Sequence, residues 1–335
     1  MEDKSITLED FKKLPSRLKE LGYAIIAPAK QGDVTLFSEI SSYDEYDGDC
    51  LKTQRSIKEV MFPRTEKICN YTSGGAKGIE LQEIKGYANK TVVLGCRPCD
   101  AASLPIMDKV FEWDYKDNFY IHRRRESVIV SMACGRFDEF CMCTSLGCSP
   151  VSEQGSDILL MKRNDNAFHA RVITDKGRGL VEMAGELFKK SDEQVPQGIQ
   201  GPEVKADPEK IKQWLDMHFE DELWDALGMR CIGCGTCAYV CPTCHCFDII
   251  DEGNLKKGSR VKNWDACGFG LFTKHASGHN PRSSQDKRYR QRIMHKFKMY
   301  VDKFNVVSCV GCGRCSSSCP VDLNIMEILK TISVK

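Results

Sequence analysis

Apolar and polar positions change their period along this chain. Near its start Phe11, Leu14, Leu18 and Leu21 recur at three- and four-residue steps, the period of a helix with one buried face. Thr7 followed by Leu-Glu-Asp is a capping-box-like start for that helix, and Gly22 suits its end. Short apolar runs then take over. Tyr23 to Pro28 and Val34 to Ile40 predict strands around a Gln-Gly-Asp turn. Thr91 to Gly95 predicts an apolar strand running into Cys96-Arg-Pro-Cys-Asp, followed by helical spacing through Leu104, Met107, Val110 and Phe111. Ser127 to Met132 predicts another strand that again ends near a cysteine. Ile158 to Met161 and Phe168 to Ile173 predict a hairpin around Asn164-Asp165-Asn166.

Beyond this the pattern weakens. The polar, Gly/Pro-bearing stretch from Ser191 to Pro208 predicts a linker, and Lys210 to Leu227 has helical spacing with Gly228 placed for a C-cap. The remainder has few β-branched alternations and predicts helical loops around cysteine runs. The expected fold class is α+β: a mixed α/β amino-terminal domain over residues 1–200, then a mainly helical, ferredoxin-like dicluster domain over 201–335.

Composition narrows the chemistry. Hydrophobic residues at 41% and charged ones at 28% suit a globular protein with a sizeable core. The 48 Lys+Arg against 47 Asp+Glu leave a formal +1, which gives no electrostatic footprint for nucleic acid or an anionic membrane. No apolar run approaches the ~18 residues of a membrane span. Met-Glu-Asp-Lys at the start lacks the marks of a secretory signal, so a soluble, cytoplasmic protein is expected. In that reducing compartment 19 cysteines in 335 residues, an odd number, point to metal rather than to a disulfide scaffold.

Two cysteine runs repeat one another. Cys231-Ile-Gly-Cys234-Gly-Thr-Cys237-Ala-Tyr-Val-Cys241-Pro and Cys309-Val-Gly-Cys312-Gly-Arg-Cys315-Ser-Ser-Ser-Cys319-Pro both fit C-x2-C-x2-C-x3-C-P, the bacterial ferredoxin spacing for [4Fe–4S] clusters. Three thiolates at two-residue steps can wrap one face of a cuboidal cluster. Gly233, Gly235, Gly311 and Gly313 let the backbone turn its N–H groups toward sulfur. In two-cluster ferredoxins the fourth cysteine serves the other cluster. The expected sets are therefore Cys231, Cys234, Cys237 and Cys319 for one cluster, and Cys309, Cys312, Cys315 and Cys241 for the second. A zinc site, with its four ligands as two separated pairs, fits poorly. The 67-residue insert between the runs is expected to supply helices that wall the clusters from water.

A third group of cysteines lies at or just after strand ends, where α/β sheets build ligand sites. Cys99, Cys134, Cys141 and Cys143 are the expected set for a third [4Fe–4S] cluster, with Asp100, Cys96 and Cys148 as alternates. By spacing alone, buried structural thiols are an equal alternative.

Taken together, these motifs resemble the iron–sulfur protein family that cytoplasmic sulfhydrogenases, in their beta subunit, share with anaerobic sulfite reductases. The resemblance rests on Arg97-Pro-Cys-Asp100, Cys141-Met-Cys-Thr-Ser-Leu-Gly147, Cys231 through Cys246-Phe, Trp264 to Cys267, Ser277-Gly-His-Asn280, Arg288-Tyr-Arg-Gln-Arg and the final run. It implies an electron-transfer component of an anaerobic redox complex, without substrate chemistry of its own. Such a component relays electrons between a flavin/NAD(P)H-binding subunit, on one side, and a catalytic subunit of the hydrogenase or sirohaem sulfite reductase type on the other. Cysteines at 99, 134, 141 and 143 match the family; those at 96 and 148 depart from its usual pattern.

Other residues carry weaker signals. Cys50 and Cys69 read as passive thiols, and Cys244, Cys246 and Cys267 as neighbours that pack against or tune a cluster. His275 and His279 read as structural. The basic run Arg282 to Arg292 fits either a solvated helix face or a dock for an acidic partner. No nucleotide-binding glycine loop lies between a strand and a helix, so flavin or nucleotide is expected on a partner. The rival reading is a reductase of a sulfur compound or disulfide, acting at an open amino-terminal cluster near Cys96 and Cys148.

Overall fold

The computed structural model describes residues 2–75, 78–84, 89–163, 165–191, 195 and 198–335. Strand β1 (Glu2–Thr7) leads into α1 (Leu8–Glu20), whose Thr7 cap accepts a hydrogen bond from the Asp10 N–H. Strands β2 (Ala24–Gln31) and β3 (Val34–Ile40) follow, then the short helix α2 (Lys58–Met61) and strands β4 (Thr65–Ser73) and β5 (Ile79–Glu83). Next come β6 (Thr91–Cys96), α3 (Pro98–Phe111), α4 (Asn118–Glu126), β7 (Ser127–Met132), β8 (Ile158–Lys162), β9 (Ala167–Val172), α5 (Asp175–Ala184) and β10 (Lys189–Lys190). The carboxy-terminal part contains α6 (Pro208–Met217), α7 (Leu223–Arg230), α8 (Thr236–Tyr239), β11 (Phe247–Gly253) and β12 (Lys257–Trp264). It continues with α9 (Gln285–Met294), a π-helical turn over His295–Met299, α10 (Tyr300–Phe304), α11 (Arg314–Ser317) and α12 (Ile325–Val334).

Eight strands form one sheet in the order β10-β1-β9-β8-β7-β6-β2-β3. Its centre, β2, β6, β7 and β8, is parallel, and the flanking pairs are antiparallel. Strands buried on both faces read as unbroken apolar runs, which is why β6 and β7 are legible in the sequence. Val92, Leu94, Val130 and Leu160 pack with Phe11, Leu14 and Leu18 of α1 and Leu180 of α5 on one face. Val93, Cys96 and Ile129 pack with Leu104 and Met107 of α3 on the other. Parallel strands bring their carboxyl ends to one edge, so Arg97-Pro-Cys-Asp after β6 and Cys134 after β7 emerge side by side.

A second sheet, β11-β12-β4-β5, is antiparallel throughout. It pairs β12, from between the two ferredoxin-type runs, with β4 of the amino-terminal part (Asn263 opposite Thr65, Lys257 opposite Thr72). Its junction is anchored by Lys262, whose Nζ lies 2.8 Å from Glu66 and 2.9 Å from Asp117. Thus the chain is mixed α/β, and helices share its carboxy-terminal part with this hairpin. β11 is exposed along its whole length, and its Phe-Asp-Ile-Ile-Asp-Glu-Gly sequence has neither a strand's alternation nor a long apolar run to signal it.

Two local expectations are corrected. The helical stretch from Lys210 breaks into α6 and α7, where the His218 carbonyl takes the Trp224 indole N–H at 2.9 Å. Gly228 lies inside α7 rather than capping it; an added Cβ would meet the Asp286 backbone of α9 at 2.6 Å, so the glycine permits close helix contact. The linker expected over 191–208 falls partly outside the described residues, at 192–194 and 196–197, as does Asn164 of the β8–β9 turn. Its described end is tied down: Thr144 donates to the Pro202 carbonyl at 2.5 Å, and the Lys205 N–H to the Ser145 hydroxyl at 2.8 Å.

Gly155 has φ +77°, and a Cβ there would lie 2.0 Å from the Ala101 carbonyl oxygen of α3. Gly155→Ala is expected to destabilise the protein by roughly 1–3 kcal/mol, read from the urea midpoint. A change under about 0.5 kcal/mol would show that this loop does not constrain α3.

Candidate iron–sulfur sites

Each ferredoxin-type run turns at two glycines in the left-handed region: Gly233 and Gly235 (φ +69° and +75°) in the first, Gly311 and Gly313 (+65° and +74°) in the second. Gly235 and Gly313 also stand as N-caps of α8 and α11, so the internal repeat is structural as well as sequential. The first cavity is lined by Cys231, Cys234, Cys237 and Cys319, with Cys267, Cys315, Tyr289 and Arg292. The second is lined by Cys241, Cys309, Cys312 and Cys315, with Met142, Arg292 and Lys296. Each expected set of four thus faces one cavity. Cys315 and Arg292 line both.

Of these eight cysteines Cys241 and Cys312 are buried, Cys234 is exposed and the other five lie between, and burial governs the acidity of several. Burial pushes Cys309 up to about 12, against the opposing pull of Lys296. Burial likewise raises Cys237, Cys312 and Cys315, with Arg292 or Arg314 opposing. Metal binding requires the thiolate, so a bound cationic cluster supplies the compensation that burial denies. All 19 cysteines are free of disulfides. Among the described residues no group of three or more His, Cys, Asp or Glu side chains is drawn together around a single metal ion. Four cysteines around each of two cavities fit an iron–sulfur cluster by the chemistry of their donors.

The amino-terminal cysteines are distributed unevenly. Cys143 is pushed up to about 12 by burial first and then by neighbouring Cys148, Cys141 and Cys134. Cys141 is pushed up to about 11 by burial, and its Sγ donates to Asp138 Oδ1 at 3.2 Å. Cys134 donates to the Arg136 carbonyl at 2.9 Å. Cys99 is raised by burial, with Asp100, Cys312 and Cys148 around it. Cys99, Cys143, Cys148 and Cys312 share one packed cluster, so Cys148 sits with this group. Cys96 instead packs among Ile57, Met61 and Phe62, between the sheet and α3 and in a separate cluster from these thiols.

Asp100 has a different partner. Its Oδ2 accepts from Arg314 Nη2 at 3.0 Å, and its Oδ1 lies 2.8 Å from Nη1. Arg314 Nε also donates to the Thr53 carbonyl at 2.8 Å, and both members of the pair are only 1% exposed. The pair ties the start of α3 to the second ferredoxin-type run. Around it, the Met142 N–H donates to the Gly311 carbonyl at 2.8 Å, and a Cβ on Gly311 would meet the Met142 backbone at 2.5 Å. The Cys141–Cys143 loop is thereby pressed onto the Cys309–Cys315 loop.

Several buried cations escaped the sequence reading. Lys296 Nζ donates to Cys241 Sγ at 3.3 Å, Thr243 Oγ1 at 3.0 Å and the Ser308 carbonyl at 2.8 Å. Lys58 Nζ donates to the Ala238 carbonyl at 3.1 Å and lies 3.8 Å from the Trp264 ring centre; burial pulls it down to about 8. Arg290 and Arg292 are buried as well, so the basic run is neither a wholly solvated face nor a wholly exposed dock. Only the Arg within the C-x2-C of the second run, amid small residues, hinted at any of this. Cys267 lines the first cavity and Cys241 the second, with Cys246 and Cys244 respectively as the neighbours that most affect their acidity. His275 and His279 meet edge to face at 5.4 Å, with the His275 N–H on the His279 carbonyl.

Removing one member of the buried pair leaves the other charge unpaired. Arg314→Met is expected to cost about 3–5 kcal/mol in denaturant unfolding, and Asp100→Leu combined with Arg314→Met less than Arg314→Met alone. A double substitution as costly as the sum of the two singles would refute this coupling.

Comparisons with known proteins agree with the geometry. Residues 230–323 match the model of a 4Fe-4S dicluster domain. The chain is 29% identical over 333 residues to sulfhydrogenase 2 subunit beta of Pyrococcus furiosus, covering 97% of this chain and 96% of that protein. Among the described residues no helix is long and apolar enough to cross a membrane. Similarity over nearly the whole length and the dicluster domain together support the family that the motifs resemble, the iron–sulfur electron-transfer subunits of sulfhydrogenase type.

Proposed function

We propose that the chain is an electron relay within a redox complex, with two [4Fe–4S] clusters in the ferredoxin-type cavities and a third at the amino-terminal cysteines. A cluster held in each site takes up and releases one electron at a time. In this reading Cys231, Cys234, Cys237 and Cys319 hold the first, and Cys309, Cys312, Cys315 and Cys241 the second. Cys134, Cys141, Cys143 and Cys99 hold the third, with Cys148 as the alternate closest to them. Residues 201–335 then carry the paired sites and residues 1–200 the single one.

The observation that carries this reading is the continuity of the sites. The two cavities share Arg292 and Cys315 in their walls, and Cys99 packs against Cys312 of the second. A relay needs sites in sequence, protected from water and rigidly held. Buried thiols, left-handed glycines and the Asp100–Arg314 clamp supply that rigidity. The family resemblance supplies the partners in this reading: electrons pass between a flavin/NAD(P)H-binding subunit, on one side, and a catalytic subunit of hydrogenase or sulfite reductase type on the other. The likeness to a sulfhydrogenase beta subunit supports the hydrogenase form.

Iron and acid-labile sulfide per chain after anaerobic purification test the proposal. About twelve irons are expected for three clusters. About eight would remove the third, and zinc in place of iron would overturn the whole reading. Cys99→Ala is expected to lose only the amino-terminal EPR signal; loss of a ferredoxin-run signal instead would break the assignment of ligands.

A further inference from the structure

Arg292 and Lys296 stand one helical turn apart at the end of α9 and the start of the π-helical turn, and both side chains enter the space around the two cavities. Their exposures are 4% and 2%. Cations are rarely buried to this degree without an anionic partner. Among the described residues, however, no carboxylate forms an ion pair with either. Lys296 donates to Cys241 Sγ, and Arg292 Nη1 reaches Cys244 Sγ at 3.6 Å. Arg292 Nη2 is buried with no hydrogen-bond partner among the described residues. Its guanidinium lines both cavities, whereas Lys296 lines only the second. The groups that bear most on Arg292 electrostatically are the sulfurs of Cys237, Cys244, Cys315 and Cys241.

These facts describe two buried positive charges that face sulfur and, among the described residues, are paired with no carboxylate. Reduction of a thiolate-bound cluster adds one negative charge to it. A buried cation a short distance away stabilises the reduced form more than the oxidised one, in a medium that screens it little. The π-helical turn, a device often met at functional sites, follows Arg292 closely and includes Lys296.

We infer that Arg292 and Lys296 are positioning charges that set the reduction potentials of the ferredoxin-type clusters, Arg292 acting on both and Lys296 chiefly on the second. The inference rests on the relay reading but goes beyond it, because it assigns distinct electronic roles to two residues that are not ligands. Arg292 holds the two potentials together. Lys296 offsets the second against the first.

The test is an EPR-monitored redox titration of the holoprotein and its variants, with iron and sulfide measured on each. Arg292→Gln is expected to retain wild-type iron and to move both ferredoxin-run midpoints to more negative values. Lys296→Gln, which removes the charge and keeps a side-chain N–H donor, is expected to move the Cys309–Cys312–Cys315 cluster more than the other. At the wild-type midpoint the reduced-to-oxidised ratio of each affected cluster should fall about tenfold, equivalent to about 59 mV for a one-electron couple. Lys296→Arg and Arg292→Lys keep the charge and should keep the midpoints. Unmoved midpoints in iron-replete Gln variants would overturn the inference, as would equal shifts in the Gln variant and its charge-keeping counterpart. Should a Gln variant lose iron, the charge-keeping variants decide: wild-type midpoints sustain the inference, and displaced ones overturn it. Wild-type protein without eight or more irons would instead overturn the relay reading itself, a separable result.

Discussion

The Asp100–Arg314 pair is the constraint on which the rest of the structure turns. A charge pair buried to this depth pays a large desolvation cost and survives only when its geometry is close and its remaining donors are satisfied. Here the guanidinium meets both carboxylate oxygens and both oxygens of Thr53. That requirement locks three distant stretches together: the loop before α2, the start of α3, and the second cysteine run. Because Asp100 follows Cys99, and Arg314 lies between Cys312 and Cys315, the clamp also decides which thiols become neighbours.

Close backbone contact completes what the ion pair begins. Gly311 and Gly313 lie against Met142 and Phe140 at distances that admit no side chain. The Cys141–Cys143 loop therefore sits on the second ferredoxin-type loop rather than near it. The second sheet adds a further bond between the two ends of the chain, with Lys262 buried on Glu66 and Asp117 where β12 meets β4. Packing in the interior leaves little freedom for these parts to move independently.

Buried positive charge is the second theme. Arg292, Lys296, Arg314 and Lys58 all lie within the part of the molecule that holds the thiols, and among the described residues only Arg314 of these four has a carboxylate to answer it. Thiols whose acidity is shifted by their surroundings and cations without carboxylate partners are complementary departures from ordinary solution chemistry. Each makes physical sense when the other is present together with bound metal. An electron-transfer protein requires such an environment, since a site that hydrates freely cannot hold its charge states apart.

Sequence by itself determined the local features. The helix α1 with its Thr7 cap, the apolar strands β6 and β7, and the two glycine-punctuated cysteine runs are legible because each depends on residues a few positions apart. Periodicity, capping and left-handed turns act over that range. Tertiary structure alone decided that Cys148 joins the amino-terminal thiols while Cys96 packs in a separate apolar cluster, and that Asp100 meets Arg314. It also decided that part of the basic run turns inward, and that polar β11 and β12 complete a sheet with β4 and β5. These outcomes depend on contacts between residues far apart in the chain, and on burial, which is a property of the packed whole. A charged residue looks the same in sequence whether water or a ring of thiols surrounds it.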